Sequence, residues 1–310
     1  MKPDDLTSKF SKIAKNIYSD AILLRHWPLE GGVSAFVDAL EIKHSNTEIQ
    51  QFVIRRQKNN VLKQHADNIA ATEFKLHKVL YNAGFPVPKV LLLDSSKSIL
   101  PSPYFVMELI EGKSEIQNEA LKNQSLIDNN LDAVLAQMAH FLVRLHSFNI
   151  QEHDLPCLPA GEDPVKGALT YIPNISEWSA LRSRLSLKKA SRVNEVLLHG
   201  DFWPGNILWN NQKLAAVIDW EDSSIGNIAA DLACSRLEIM SMYGEAAMHA
   251  FTENYLAESA RNVLDLPLWE VYSGFAALAN MADWGLDEDA EAARRESTTQ
   301  FVKRAATEIL

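Results

Sequence analysis

Cysteine is scarce in this 310-residue chain: Cys157 and Cys234 are its only two, and neither belongs to a Cys-x-x-Cys or Cys/His spacing. That scarcity excludes a disulfide framework and a structural zinc site, and it fits a reducing cytoplasm, the expected location. Long apolar runs are missing too. No segment reaches the ~18 uninterrupted apolar residues that a membrane span requires, and the opening MKPDDLTSKFSKIAKNI mixes charges where a signal peptide needs an apolar core. The third absence is a basic surplus. The net charge is −10, with 14 Lys plus Arg against 11 Asp plus Glu in residues 1–110 and 16 against 29 in residues 111–310. Such a chain has no basic surface to displace counterions from nucleic-acid phosphates, so neither nucleic acid nor membrane is expected as a partner. Internal repeats and low-complexity tracts are also absent.

What is present sorts into two kinds of periodicity. After an opening helix with Phe10, Ile13 and Ile17 on one face, short strand-like runs occupy 21–27, 35–42 and 50–57. A helix follows over about Asn60 to Ala83, capped by Gly84 and stopped by Pro86 and Pro88. Two more strands, 89–94 and 104–110, complete a five-stranded antiparallel sheet with one helix. Beyond the crossing segment Glu111-Gly112-Lys113-Ser114, helical spacing dominates. Leu131, Val134, Leu135, Met138, Phe141, Leu142 and Leu145 form one apolar stripe, and further helices are expected near 176–195, 227–262 and 267–308. One hairpin interrupts them, with ILW (207–209) and LAAVIDW (214–220) joined by the turn-forming NNQK (210–213). The expectation is an α+β chain: an N-terminal sheet-based lobe over 1–110 and a mainly helical lobe over 111–310 that carries the hairpin.

The stretch LHGDFWPGNILW (198–209) leads into that hairpin. It puts Asp201 on a loop before the first strand and Asn206 five residues later, while Asp219 ends the partner strand. Taken singly, an HGD or an IDW acid reads as a capping or turn residue; together they converge on one end of a hairpin. That trio suits Mg²⁺, which prefers hard oxygen ligands and is held by one or two carboxylates together with substrate phosphates. Asp219 and the side-chain oxygen of Asn206 would be its ligands, leaving Asp201 free to accept a proton from an attacking hydroxyl.

His199-Gly200-Asp201 followed by Asn206, then Ile218-Asp219-Trp220-Glu221 and Asp231-Leu232-Ala233, resembles the aminoglycoside phosphotransferase family, also called choline-kinase-like, within the protein-kinase-like two-lobe fold. The resemblance runs from the glycines near residue 31 to the helix containing Asp231. It implies that Asp201 is the catalytic base, that Asn206 and Asp219 bind magnesium, that His199 braces the loop and that Asp231 supports it from a following helix. In the N-terminal lobe it implies a phosphate-covering loop at Glu30-Gly31-Gly32-Val33-Ser34, with Gly31, Gly32 and Ser34 at the phosphates. Arg55 falls where kinases carry the lysine that holds the α and β phosphates, with Glu73 as its helix partner. Arginine there is a departure, since it clamps phosphate in a different direction from lysine. The segment Phe105 to Gly112 resembles the interlobe hinge, with Met107 behind the nucleotide and the backbone from Glu108 to Ile110 facing a purine edge.

The activity implied is transfer of a phosphoryl group from ATP, or from GTP, to a hydroxyl of a small molecule such as an aminoglycoside, an amino alcohol or a sugar. A nucleotide-binding pseudokinase, motivated by Arg55, and a metal-dependent phosphoesterase that draws on His153 and Asp154 are the competing readings. An acidic C-terminal lobe suits a cationic acceptor, for which Trp178, Trp269 and Trp284 are candidate stacking residues and Glu238, Tyr243, Asp283 and Asp287 candidate polar contacts. Trp203, just past the base, either props the loop or touches the acceptor. Neither the acceptor's identity nor the oligomeric state is readable.

Overall fold

Period-two patterning builds the first part of the chain. In the computed structural model, which describes residues 3–29, 35–45, 48–58, 66–114, 130–191 and 195–310, strands β1 (Ile22–Pro28), β2 (Ala35–His44), β3 (Glu48–Gln57), β4 (Val90–Asp94) and β5 (Tyr104–Glu108) form one antiparallel sheet in the order β1-β2-β3-β5-β4. Successive side chains take opposite faces. Leu40, Ile42, Phe52, Ile54, Tyr104 and Val106 pack under helix α1 (Pro3–Ile17) with Phe10, Ile13 and Ala14. The intervening Val53, Phe105 and Met107 pack on the other face against Ala70 and Phe74 of helix α2 (Ala66–Asn82). Arg55, two residues beyond Val53, therefore turns toward α2. That helix ends as expected: Gly84 takes φ +79°, and the N–H groups of Gly84 and Phe85 donate to the carbonyls of Tyr81 and Leu80. The part of the expected helix before residue 66 lies outside the described residues.

The remaining chain contributes helices α3 (Leu131–His146), α4 (Pro164–Tyr171), α5 (Ser179–Ser186), α6 (Ala229–Tyr243), α7 (Glu245–Glu258), α8 (Leu266–Asn280) and α9 (Glu288–Ile309). The α3 stripe buries Leu135, Met138, Phe141 and Leu142 in one core with Phe202, Trp220, Phe251 and Tyr255. Two long helices expected from periodicity are broken. The one over 227–262 divides at Gly244 (φ +89°) into α6 and α7. The one over 267–308 stops at Asn280, passes through a 3₁₀ turn (Met281–Trp284) and Gly285 (φ +71°), and restarts behind Asp287. The Asp287 carboxylate caps α9 by accepting from Ala290 N–H at 2.8 Å, so this acid is structural. The helix expected over 176–195 is a 3₁₀ turn followed by α5, which ends at Ser186. α4 was not expected, although Asp163 caps it by accepting from Val165 and Lys166 N–H and Pro164 opens it. Trp178 and Trp269 are core residues, the former edge-on to Phe275 at 5.0 Å, whereas Trp284 is more than one-third exposed. No described helix is long and apolar enough to cross a membrane.

Candidate active site

Two short antiparallel pairs hold the motif. Strands β6 (Val196–Leu198) and β9 (Ser224–Gly226) frame its start and end, while β7 (Ile207–Asn210) and β8 (Lys213–Val217) form the expected hairpin. Asn211 and Gln212, at φ 49° and 63°, give the tight turn whose twist matches the strands. Ile218 N–H donates to Asn206 C=O at 3.0 Å, which brings Asp219 beside Asn206. Asp219 itself has φ 66°, a left-handed conformation that costs a non-glycine residue energy and collects at functional sites.

The loop carrying Asp201 is fixed from beneath. The Asp231 carboxylate, fully buried on α6, accepts from His199 N–H at 2.9 Å and Gly200 N–H at 2.8 Å, and pairs with His146 Nε2 at 3.2 Å. Tyr255 Oη lies 2.9 Å from the other His146 nitrogen. Burial alone would raise the Asp231 pKa, but the His146 hydrogen bond and the neighbouring histidines hold it below its ordinary value. His199 Nδ1 accepts from Asp201 N–H at 3.2 Å and its Nε2 faces Ile218 C=O at 3.1 Å. An amide N–H only donates and a carbonyl only accepts, so His199 is the neutral Nε2–H tautomer, in keeping with a pKa lowered by burial. Its ring packs on Trp220 at 4.5 Å, and Trp220 reaches His77 of α2 edge-on at 6.4 Å. Gly200 is obligatory here: its φ is +88°, and a Cβ would collide with the backbone carbonyl of Asp222.

Asp201 is partly buried. Asn206 Nδ2 donates to its backbone oxygen and to Oδ2, both at 2.9 Å, and the Cys234 thiol faces Oδ1 at 3.6 Å. Burial first, then the charges of Glu238, Asp222 and Asp219, push its pKa up to about 7, where a general base works best at neutral pH. The same burial raises the Cys234 thiol well above its usual range. Trp203 folds back over Gly205, whose missing side chain makes room for the indole, so this tryptophan props the loop.

From strand β3, Arg55 gathers three acids. Its Nε donates to Glu73 at 2.9 Å, and its Nη2 to Asp219 Oδ1 at 2.7 Å and to Glu221 at 3.0 Å, where Gln57 also donates at 3.3 Å. Burial would lower the guanidinium pKa, but the three carboxylates outweigh it and hold the charge in place. The expected Arg55–Glu73 pair is thus present, extended to the acid at the hairpin end. At the hinge, Glu108 N–H donates to Lys89 C=O (2.9 Å) and Leu109 N–H to Gln51 C=O (3.2 Å), which leaves Ile110 as the candidate N–H donor for a ligand. Met107 lies behind it, buried with Val53 and Phe105. Gly31, Gly32 and Ser34 lie outside the described residues.

For a cation, the donor set is one carboxylate and one amide. The Asn206 amide nitrogen is committed to Asp201, which aims its oxygen elsewhere, and Asp219 is one-third exposed beside it. That set fits Mg²⁺ completed by water and phosphate. Among the described residues, no group of three or more His, Cys, Asp or Glu is arranged to hold a metal. His153 stacks on Phe148 and Asp154 pairs with Lys75, so neither adds to the site. Cys234, Asp222, His146 and Tyr255 were not foreseen as site neighbours. A signal existed for the first: Asp231, Cys234 and Glu238 recur at helical spacing on one face of the same stretch.

A sheet with one bridging helix, a hairpin that closes the Asp201 loop and a helical remainder define the two-lobe protein-kinase-like fold. The chain belongs to the phosphotransferase enzyme family, whose model matches residues 42–275. It is similar to human acyl-CoA dehydrogenase family member 11, 30% identical over 196 residues that make up 59% of this chain and 25% of that protein. It therefore spans about a quarter of the length of that relative. It is also 27% identical over 175 residues to viomycin phosphotransferase of Streptomyces vinaceus, covering 52% of this chain and 58% of that one. Among solved structures, an APH(2″) enzyme in complex with GDP and kanamycin superposes with a TM-score of 0.65, at 15% identity, over 95% of this chain and 98% of that one. At that identity the likeness speaks for the fold.

Proposed function

We propose that the chain transfers the γ-phosphoryl group of ATP, with Mg²⁺, to a hydroxyl of a small molecule, and that residues 1–110 hold the nucleotide while 111–310 hold the acceptor. The observation that carries this reading is the convergence of Asp201, Asn206 and Asp219 at one end of the β7–β8 hairpin, within a chain of this family. Phosphoryl transfer asks for positioning and charge neutralisation more than covalent chemistry. Mg²⁺ held by Asp219 and Asn206 would supply neutralisation of phosphate charge. Arg55 adds a second cation on the nucleotide side, held by Glu73. Asp201 receives the proton of the acceptor hydroxyl, and Asn206 and Cys234 orient its two oxygens.

The test is Asp201→Asn. It is expected to lower kcat roughly 10²- to 10⁴-fold, the range for a positioned general base, with Mg-ATP still raising the Tm. Unchanged turnover in that variant would refute Asp201 as the base. No ATP turnover by the wild-type chain over a broad hydroxyl panel, with nucleotide still bound, would favour the pseudokinase.

A further inference from the structure

The acceptor end of the site contains a feature that the proposed chemistry leaves unused. α6 turns Asp231, Cys234 and Glu238 toward the Asp201 loop; the Cys234 thiol meets Asp201, and Glu238 follows one turn later, ~6 Å along the axis. Glu238 is buried, and its charge is the strongest of those acting on Asp201. It does not stand there as a free anion. Arg294 of α9 pairs with it through Nη2, and the Arg294 guanidinium lies over the exposed Trp284 ring at 5.8 Å from the centroid. A guanidinium offers five N–H donors in a planar fork. Among the described residues, Arg294 hydrogen-bonds only Glu238, and its side chain keeps access to solvent.

We propose that Arg294 is the recognition residue for an oxyanion, a carboxylate or a phosphate ester, carried by the acceptor whose hydroxyl meets Asp201, and that polycationic acceptors are disfavoured. An unpaired acid beside the base would attract an ammonium; here its counter-ion is built in. The fork that remains matches an oxyanion bidentately, with Glu238 fixing its direction and Trp284 covering its face. This runs opposite to the expectation of a cationic acceptor drawn from the overall acidity of residues 111–310. The inference rests on the phosphotransferase reading above.

The test compares pairs of acceptors with the wild-type chain and Mg-ATP: hydroxycarboxylic acids against their methyl esters, sugar phosphates against the free sugars, and kanamycin as the polycation. Product is followed by phosphorus NMR and rate by ADP release. At least one anionic acceptor is expected to exceed its neutral counterpart by about tenfold or more in kcat/KM, the worth of one charge-assisted contact. The class of that pair tells carboxylate from phosphate. Arg294→Met is expected to bring the ratio close to one through KM. Should the single change unfold the chain by leaving Glu238 unpaired, Arg294→Met with Glu238→Gln serves in its place. Equal use of charged and neutral members, kanamycin turned over as well as any anion, or a ratio preserved in the variant overturns this proposal alone. Failure of Mg-ATP to stabilise the wild-type chain overturns the phosphotransferase reading, and this proposal with it.

Discussion

His77 makes the fold sensitive to acid in a calculable way. The ring is buried on α2, donates through Nδ1 to Pro88 C=O at 3.3 Å and meets Trp220 edge-on. Burial lowers its pKa to about 4 from 6.5. In the unfolded chain it protonates near pH 6.5, so between pH 6.5 and 4 the unfolded state binds the extra proton. Stability from this group is therefore complete above pH 6.5 and is lost as pH falls toward 4. A shift of that size corresponds to about 3 kcal/mol in all, with about 2 kcal/mol lost by pH 5. Urea titrations of the wild type and His77→Gln at pH 7.5 and pH 5 isolate the group, because other ionisations cancel in the difference. The wild type is expected to lose about 2 kcal/mol more than the variant over that interval. Equal losses would refute the account of His77 as a neutral group sealed against Trp220.

Three further outcomes follow from the site. Asp231→Asn removes the charge that accepts two loop N–H groups and His146, and is expected to cost about 3–5 kcal/mol, measured by chemical denaturation. Gly200→Ala forces a Cβ onto the Asp222 carbonyl at φ +88°, and the displaced loop is expected to lower kcat/KM about 10²-fold while Mg-ATP binding persists in a thermal-shift assay. Arg55→Lys keeps the charge but not the fork that spans Glu73, Asp219 and Glu221; a loss of about 1–3 kcal/mol in stability is expected.

The sheet, the α3 stripe and the hairpin were legible because each depends on residues close in sequence: alternation, i to i+4 spacing, a turn of two left-handed residues. The trio Asp201, Asn206 and Asp219 was legible for the same reason, since one hairpin brings it together. The helix breaks at Gly244 and Gly285 were missed because a lone glycine inside a helical stretch does not by itself end a helix, and it is the positive φ at each that changes the direction. The surroundings of Asp201 were harder. His146, Tyr255 and Arg294 come from three other helices, and nothing local in their sequence points to the loop. The pairing of Glu238 with Arg294 was not legible either, since composition counts the acids of residues 111–310 without showing which of them carry a counter-ion.

The indole of Trp203 lying on Gly205 ties two positions into one unit of inheritance. A side chain at 205 cannot enter while the ring is there, and a smaller residue at 203 would leave Gly205 as needless backbone freedom in a loop that must be stiff. Among related chains the two positions should therefore change together, large with glycine and small with a side chain, and a designer who wishes to reshape the mouth of the cleft at 203 must rewrite 205 in the same step.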